Sequence, residues 1–355
     1  MQKRTYRLLV LVFSLYLFLL SIDMLGGSFK LLGEAFSLRL ITMTSNPYVG
    51  LVVGILSTSI VQSSSATTSV VVALVGGGSL TITNAVPIVM GANIGTTVTN
   101  MLVSFGHVTR KEEFRKAFAG ATVHDFFNLS AVIILFPLEM KFHFIQKSAS
   151  VMADKFSEIG GLTFVSPLKL IIKPVSSWIL SITGPKLGIC IALVILFIAL
   201  KYIVSSMRFL TLDKLQILLD RYLFKNDLSS FSLGLVTTAI VQSSSVTTSL
   251  VIPLVGSGLL TIEQVYPYTL GANIGTTVTA ILASLVTTRI EAVTIAFAHL
   301  LFNVFGILIF YPLKVVPILC ARSLADLAAE KKIVAILFVV FAFYVVPLLL
   351  IFIAD

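Results

Sequence analysis

Residues 62–69 read Gln-Ser-Ser-Ser-Ala-Thr-Thr-Ser, and residues 242–249 read Gln-Ser-Ser-Ser-Val-Thr-Thr-Ser. Each is a burst of hydroxyls inside an apolar run. Each is followed by Gly-Ala-Asn-Ile-Gly-Thr-Thr-Val-Thr, at 91–99 and at 271–279. The offset stays at 180, and 31 of the 51 positions from Gly54 to Ser104 are identical to those from Gly234 to Ser284. Shared composition does not produce such a match, so the chain carries an internal duplication. A polar cluster in an apolar setting is costly unless its groups bind something. A duplicated cluster points to one site built from both halves.

The setting is a membrane. Of 355 residues, 57% are hydrophobic and 12% charged, against about 25% charged in soluble proteins; mean hydropathy is +1.03. The apolar blocks are long, whereas an outer-membrane barrel needs alternating strands of about ten residues. The predicted class is therefore an all-α integral membrane protein. The net charge of +9 falls mainly between apolar blocks, which suits loops facing anionic lipid at a cytoplasmic surface and not nucleic acid. Cys190 and Cys320 sit in or beside apolar stretches and give no disulfide or metal pattern.

Residues 1–7 carry Lys3, Arg4 and Arg7 ahead of the apolar run 8–22. No small-residue cleavage site follows, so the run reads as a retained span with a cytoplasmic N-terminus, not as a signal peptide. Residues 28–46 and 207–228 read as amphipathic helices at the interface. Residues 47–80 hold no charged residue and carry the hydroxyl cluster midway. Each arm of about 12–14 residues reaches only ~20 Å at helical rise, short of the ~30 Å of a span. The segment is thus a re-entrant hairpin with the cluster at its tip, and 230–258 repeats it. Residues 82–105 and 262–286 are long enough to span. Their Gly91–Gly95 and Gly271–Gly275 segments, one turn after Pro87 and Pro267, predict discontinuous helices unwound at those glycines.

The basic loop 107–116 places its side in the cytoplasm. Spans 117–138 and 293–313 share Ala-Phe-Ala and His-x-x-Phe-Asn. Three crossings and a hairpin per copy make the second copy inverted, as in many secondary transporters. The expected organisation is a first repeat over 1–139, an extracellular linker over 140–186, a second repeat over 187–314, and a basic linker with a last span over 315–355. Counting puts the C-terminus outside.

The site offers Gln62, Ser63, Ser64, Ser65, Thr67, Asn93, Thr96 and Thr97, with copies Gln242, Ser243, Ser244, Ser245, Thr247, Asn273, Thr276 and Thr277. Serine and threonine hydroxyls donate to an oxyanion, and helix N-termini add free N–H groups. No Asp, Glu, Lys, Arg or His lies within 47–106, and only Glu263 within 228–288. An anion bound there needs co-bound cations to offset its desolvation. Amide carbonyls and hydroxyls are hard oxygen ligands for sodium, and each ion would favour the other, which is the basis of coupling. On this reading Ser63–Ser65, Thr67, Ser243–Ser245 and Thr247 hold the anion. Gln62, Asn93, Thr96, Thr97 and their copies Gln242, Asn273, Thr276 and Thr277 hold sodium. Proton coupling would instead use His124, Asp125 or His299; hydrogen bonding within the bundle is the competing role. Nucleotide-binding and serine-nucleophile motifs are absent, so neither an ATP-driven pump nor a hydrolase is expected, and no cofactor.

The paired Gln-Ser-Ser-Ser and Gly-Ala-Asn-Ile-Gly-Thr-Thr motifs, with Ala117-Phe-Ala-Gly-Ala-Thr-Val-His-Asp-Phe-Phe-Asn128, resemble the type II sodium–phosphate cotransporter family. The resemblance covers both repeats. It implies that the anion is inorganic phosphate, imported with sodium across the plasma (bacterial inner) membrane, and that the hairpins move elevator-fashion against the other spans. From the residues alone the substrate is a small anion. Sulfate or a dicarboxylate stays open, as does a phosphate-binding channel or sensor, and so does a homo-oligomeric state.

Overall fold

The structure is a computed structural model. It describes residues 2–158, 166–222, 226–287 and 289–354. Among the described residues every regular element is helical. Seven helices among these residues are long and apolar enough to cross a membrane.

The chain opens with α1 (Gln2–Leu31). Gly33, at φ 82°, turns it into the short α2 (Glu34–Met43), which buries none of its residues. The expected interfacial helix over 28–46 is thus split, its first residues belonging to α1. A bend of 97° then leads into α3 (Pro47–Val61). Asn46 caps α3, its side chain accepting from Tyr48 N (3.0 Å), and Pro47 occupies the first turn, where a missing N–H costs nothing. α4 (Ser64–Gly76) returns from the tip. Next come α5 (Ile82–Ile94), a three-residue 3-10 turn over Gly95–Thr97, and α6 (Val98–Ser104).

The long α7 (Lys111–Phe142) starts earlier than its apolar stretch, and its polar first turns carry Arg110–Glu113 and Arg115–Glu112 ion pairs. The expected linker over 140–186 is largely helical. It holds α8 (Phe144–Glu158) and the start of α9 (Ser166–Tyr222), which kinks at Gly184 (φ 67°). Gly160 and Gly161 lie outside the described residues. The interfacial helix expected over 207–228 is the continuation of α9 as far as Tyr222; of its charged side chains, Arg208, Asp213, Lys214, Asp220 and Arg221 lie outside the description. α1 packs against α9.

The second copy begins with α10 (Asp227–Val241), capped by Asn226, whose side chain accepts from Ser229 N (2.8 Å). Its return arm is divided into α11 (Ser244–Ser249) and α12 (Ile252–Gly256). Pro253 stands where the first copy has Ala73, and a proline removes the N–H that would bond one turn back. α13 (Ile262–Thr287), α14 (Ile290–Phe310) and α15 (Val315–Glu330) follow. The expected basic linker is therefore mostly helix. The last span consists of α16 (Ile333–Val340), a π-turn over Phe341–Val345, and α17 (Val346–Ala354).

The predicted breaks at Gly91–Gly95 and Gly271–Gly275 are corrected. α13 runs unbroken through Gly271–Gly275. In the first copy only a 3-10 tightening follows Ile94. These glycines serve close packing instead. A Cβ on Gly91 would overlap the carbonyl oxygen of Leu51, and one on Gly271 that of Phe231. A Cβ on Gly95 would sit 2.6 Å from Ile55 O, and one on Gly275 2.6 Å from Leu235 O. Gly54 and Gly234 meet Ile88 O and Tyr268 O in the same way. Gly-Ala-Asn-Ile-Gly is a Gly-xxx-Gly face, which lets the first hairpin arm lie backbone to backbone on the following span.

Candidate functional site

Both hairpins turn at glutamine. Gln62 (φ 56°, ψ 32°) ends α3 and Gln242 (φ 57°, ψ 28°) ends α10, each in the left-handed region. A non-glycine residue held there stores of order 1–3 kcal/mol. The next serine reverses the chain: Ser63 and Ser243 are extended, at φ −150° and −151°. Their hydroxyls cap the return helices, accepting from Ala66 N (3.2 Å) and Val246 N (3.4 Å). Sequence order Gln-Ser-Ser thus sets the local geometry: helix stop, cap, helix start.

The two tips meet. Ser65 Oγ donates to the carbonyl oxygen of Gln242 (3.5 Å), and Ser245 Oγ to that of Thr96 (3.5 Å). Asn100 Nδ2 donates to Thr248 Oγ1 at 2.9 Å, tying α6 to the second tip. Between the tips lies a cavity of about 380 Å³, lined by Gln62, Ser63, Ser65, Gln242 and Ser243. Its remaining wall is α9, through Phe197, Leu200, Lys201, Val204 and Ser205. Gln62 Oε1 accepts from Thr99 Oγ1 at 3.4 Å. Gln242, only 7% exposed, leaves its Oε1 without a hydrogen-bond partner, an arrangement that favours a ligand.

The other predicted residues lie off the cavity wall. Ser64 and Ser244 are buried in the first turns of α4 and α11. Thr67 Oγ1 donates to Ser63 O (3.2 Å); Thr247 Oγ1 lies 2.6 Å from Thr238 Oγ1. Thr96 and Thr276 donate to carbonyls one turn back, at 3.1 and 3.0 Å, and Thr97 and Thr277 to those of Ile94 and Ile274.

Asn93 and Asn273 belong to a second buried network. His299 Nε2 and Asn93 Oδ1 are 3.2 Å apart. Asn128 Nδ2 donates to Asn93 O (3.0 Å). Asn273 Nδ2 donates to Asn128 Oδ1 (3.0 Å) and Asn303 Oδ1 (2.8 Å). This knot joins α5, α7, α13 and α14, and it uses the repeated His-x-x-Phe-Asn of the sequence. Asp125 is fully buried in α7 and neither carboxylate oxygen has a partner.

Sequence reasoning missed Lys201 and Ser205. They stand outside the duplicated motifs, and only helix packing brings them to the tips. A larger cavity, about 450 Å³, lies away from the tips between Arg115, Lys116, Leu260 and Arg322. Its charges are partly spent in Arg115–Asp326 and Arg322–Glu263 ion pairs. The smaller cavity is the candidate site, because the duplicated polar groups converge on it.

The family model described as Na+/Pi-cotransporter matches residues 17–164 and 195–316, and so includes both tips. The chain belongs to the Na+/Pi-cotransporter family. Among its relatives is the "Sodium-dependent phosphate transport protein 2B" of Pongo abelii, 31% identical over 96% of this chain and 64% of the relative. The Homo sapiens protein of the same description matches to the same extent. The "Sodium-dependent phosphate transport protein 2A" of Mus musculus is 33% identical over 94% of this chain and 65% of its own length. The chain thus spans just under two thirds of these relatives. No solved structure matches it.

Proposed function

We propose that this chain is a sodium-coupled symporter that imports inorganic phosphate by alternating access. The observation that carries the reading is the meeting of the two Gln-Ser-Ser tips on one cavity that, among the described residues, no acidic side chain lines. Ser63, Ser65 and Ser243 offer hydroxyls, and the first turn of α4 leaves N–H groups without intrahelical partners. Such donors suit an oxyanion, and the descriptions of the relatives favour phosphate over sulfate or a dicarboxylate.

Gln62 and Gln242 supply amide oxygens for sodium beside the anion. Asn93, Thr96, Thr97, Thr276 and Thr277 bond carbonyls of their own helices in this arrangement, and Asn273 donates to Asn128 and Asn303 on neighbouring helices. They join a sodium site only where those bonds rearrange.

Contacts at the helix ends support an inverted repeat. The start of α5 lies with α8 through Thr83–Gln146 (3.1 Å), and Gly78 lies beside Arg289. The start of α13 lies with the opposite group: Glu263 pairs with Arg322, and Gly258 lies beside Lys116. Matching spans thus begin among different partners. The face carrying Arg7, Arg110, Arg115, Lys116 and Arg322 is then cytoplasmic by its positive charge. The membrane is the plasma membrane, and the hairpins are the moving elements of an elevator-like cycle.

The test is uptake of radiolabelled phosphate into proteoliposomes with an inward sodium gradient. Accumulation that collapses when choline replaces sodium is expected. Uptake that is equal in both salts, or that sulfate abolishes at equal concentration, sinks the proposal.

A further inference from the structure

The third wall of the cavity is charged. Phe197, Lys201 and Ser205 are spaced four apart and present one helical face of α9 to the tips. Lys201 is exposed, and among the described residues no ion pair includes it. One turn further on, Ser205 Oγ accepts from Arg7 Nη1 (3.3 Å), and the Arg7 guanidinium lies 5.1 Å from the centroid of the Phe209 ring. The cavity therefore borders a cation, with a second one beyond it on the side where α1 begins.

This charge is not duplicated. The residue 180 positions before Lys201 is Ser21 of α1, which is fully buried and donates to Phe18 O at 2.6 Å. The glutamines and serines of the two tips occur twice in the sequence, and the ammonium occurs once. An unpaired lysine beside hydroxyl donors and a buried, unpartnered Gln242 Oε1 is a place for an anion with its counter-ion. Lysine suits a temporary partner, since its compact charge sits on a flexible four-carbon stem.

We propose that Lys201 is the anion-pairing residue of the cavity, and that it acts on the face of the membrane where α1 begins. The proposal rests on the transport reading above and adds an asymmetry to it. From the opposite face the anion is neutralised by sodium alone. On the Lys201 face the ammonium takes over, so the anion stays bound there after sodium has left. Charge pairing of this kind recognises the oxyanion class; the serine hydroxyls select within it.

The experiment uses the full chain with Cys190→Ser and Cys320→Ser, since both cysteines are exposed. Lys201→Cys is added, and half-saturation by phosphate is measured from each face of oriented proteoliposomes. A charged hydrogen bond predicts a rise of about tenfold on the Lys201 face, with the opposite face and the sodium half-saturation little changed. Treatment with 2-aminoethyl methanethiosulfonate restores an ammonium and recovers the affinity, whereas the sulfonatoethyl reagent does not. Lys201→Arg keeps the wild-type behaviour.

Unchanged phosphate half-saturation in both Lys201→Cys and Lys201→Glu overturns the proposal, and means that the side chain reaches out to lipid headgroups. So does a loss that the aminoethyl reagent fails to repair, which marks a packing role. Should the unsubstituted protein show no sodium-driven uptake, the transport reading fails on its own. Lys201 is then judged by whether phosphate slows thiol modification at Lys201→Cys: protection supports the pairing, and no protection refutes it.

Discussion

His299 and Asn93, 206 residues apart in sequence, meet inside the bundle with Nε2 and Oδ1 at 3.2 Å. The pair joins a span of the first repeat to a span of the second. His299→Ala leaves the Asn93 oxygen buried and unpaired, at a cost of about 1–3 kcal/mol. The melting temperature in detergent is expected to fall, and His299→Gln to recover part of the loss. If His299→Ala melts as the parent does, the pair does not hold the repeats together.

Gln62 and Gln242 separate backbone from side chain at the tips. Glycine adopts φ near +57° without penalty, whereas a β-branched residue does not. Gln62→Gly is expected to keep or raise thermal stability by up to ~1 kcal/mol while losing sodium-dependent uptake. Gln62→Val is expected to lose both. Equal stability of the two variants would show that the left-handed turn is not needed.

Gly91 and Gly271 test the close approach of hairpin and span. Alanine at either position overlaps a carbonyl of the facing helix. Destabilisation of ~3 kcal/mol or more is expected, seen as poor yield of folded protein from membranes. Gly106→Ala is the control, because a Cβ there meets nothing within 4 Å. A Gly91→Ala protein that folds normally would contradict the packing described.

Ser63 and Ser243 reach the cavity, whereas Ser64 and Ser244 do not line it. Losing one hydroxyl donor to a charged ligand predicts a rise of roughly tenfold or more in phosphate half-saturation for Ser63→Ala and Ser243→Ala. Ser64→Ala and Ser244→Ala are expected to change it less than threefold. Uptake kinetics that reverse this order would place the anion deeper in the return helices.

The duplicated tips were legible because hydroxyls stand out in apolar sequence and because two copies exclude accident. The seven spans were legible from length and hydropathy. The glycines of 91–95 misled, since the residue that permits unwinding also permits contact, and only the position of Leu51 and Ile55 decides between them. Asn93 and Asn273 look like ligands in sequence; their partners Asn128, His299 and Asn303 lie 30 or more residues away. Lys201 gave no signal because it has no copy. Its role depends on which face of α9 turns inward.

Pro253 has a mechanical consequence. The return arm of the first hairpin is a single rod, α4, and that of the second is jointed at Leu250–Val251. Compliance in the return arms is thereby concentrated at one elbow, so the two gates of a cycle would differ in stiffness. Amide protons at Leu250 and Val251 are expected to exchange faster than those at Val70 and Val71, and Pro253→Ala to slow them. The near-symmetric architecture would then work as a lopsided machine, with one rigid jaw and one that flexes.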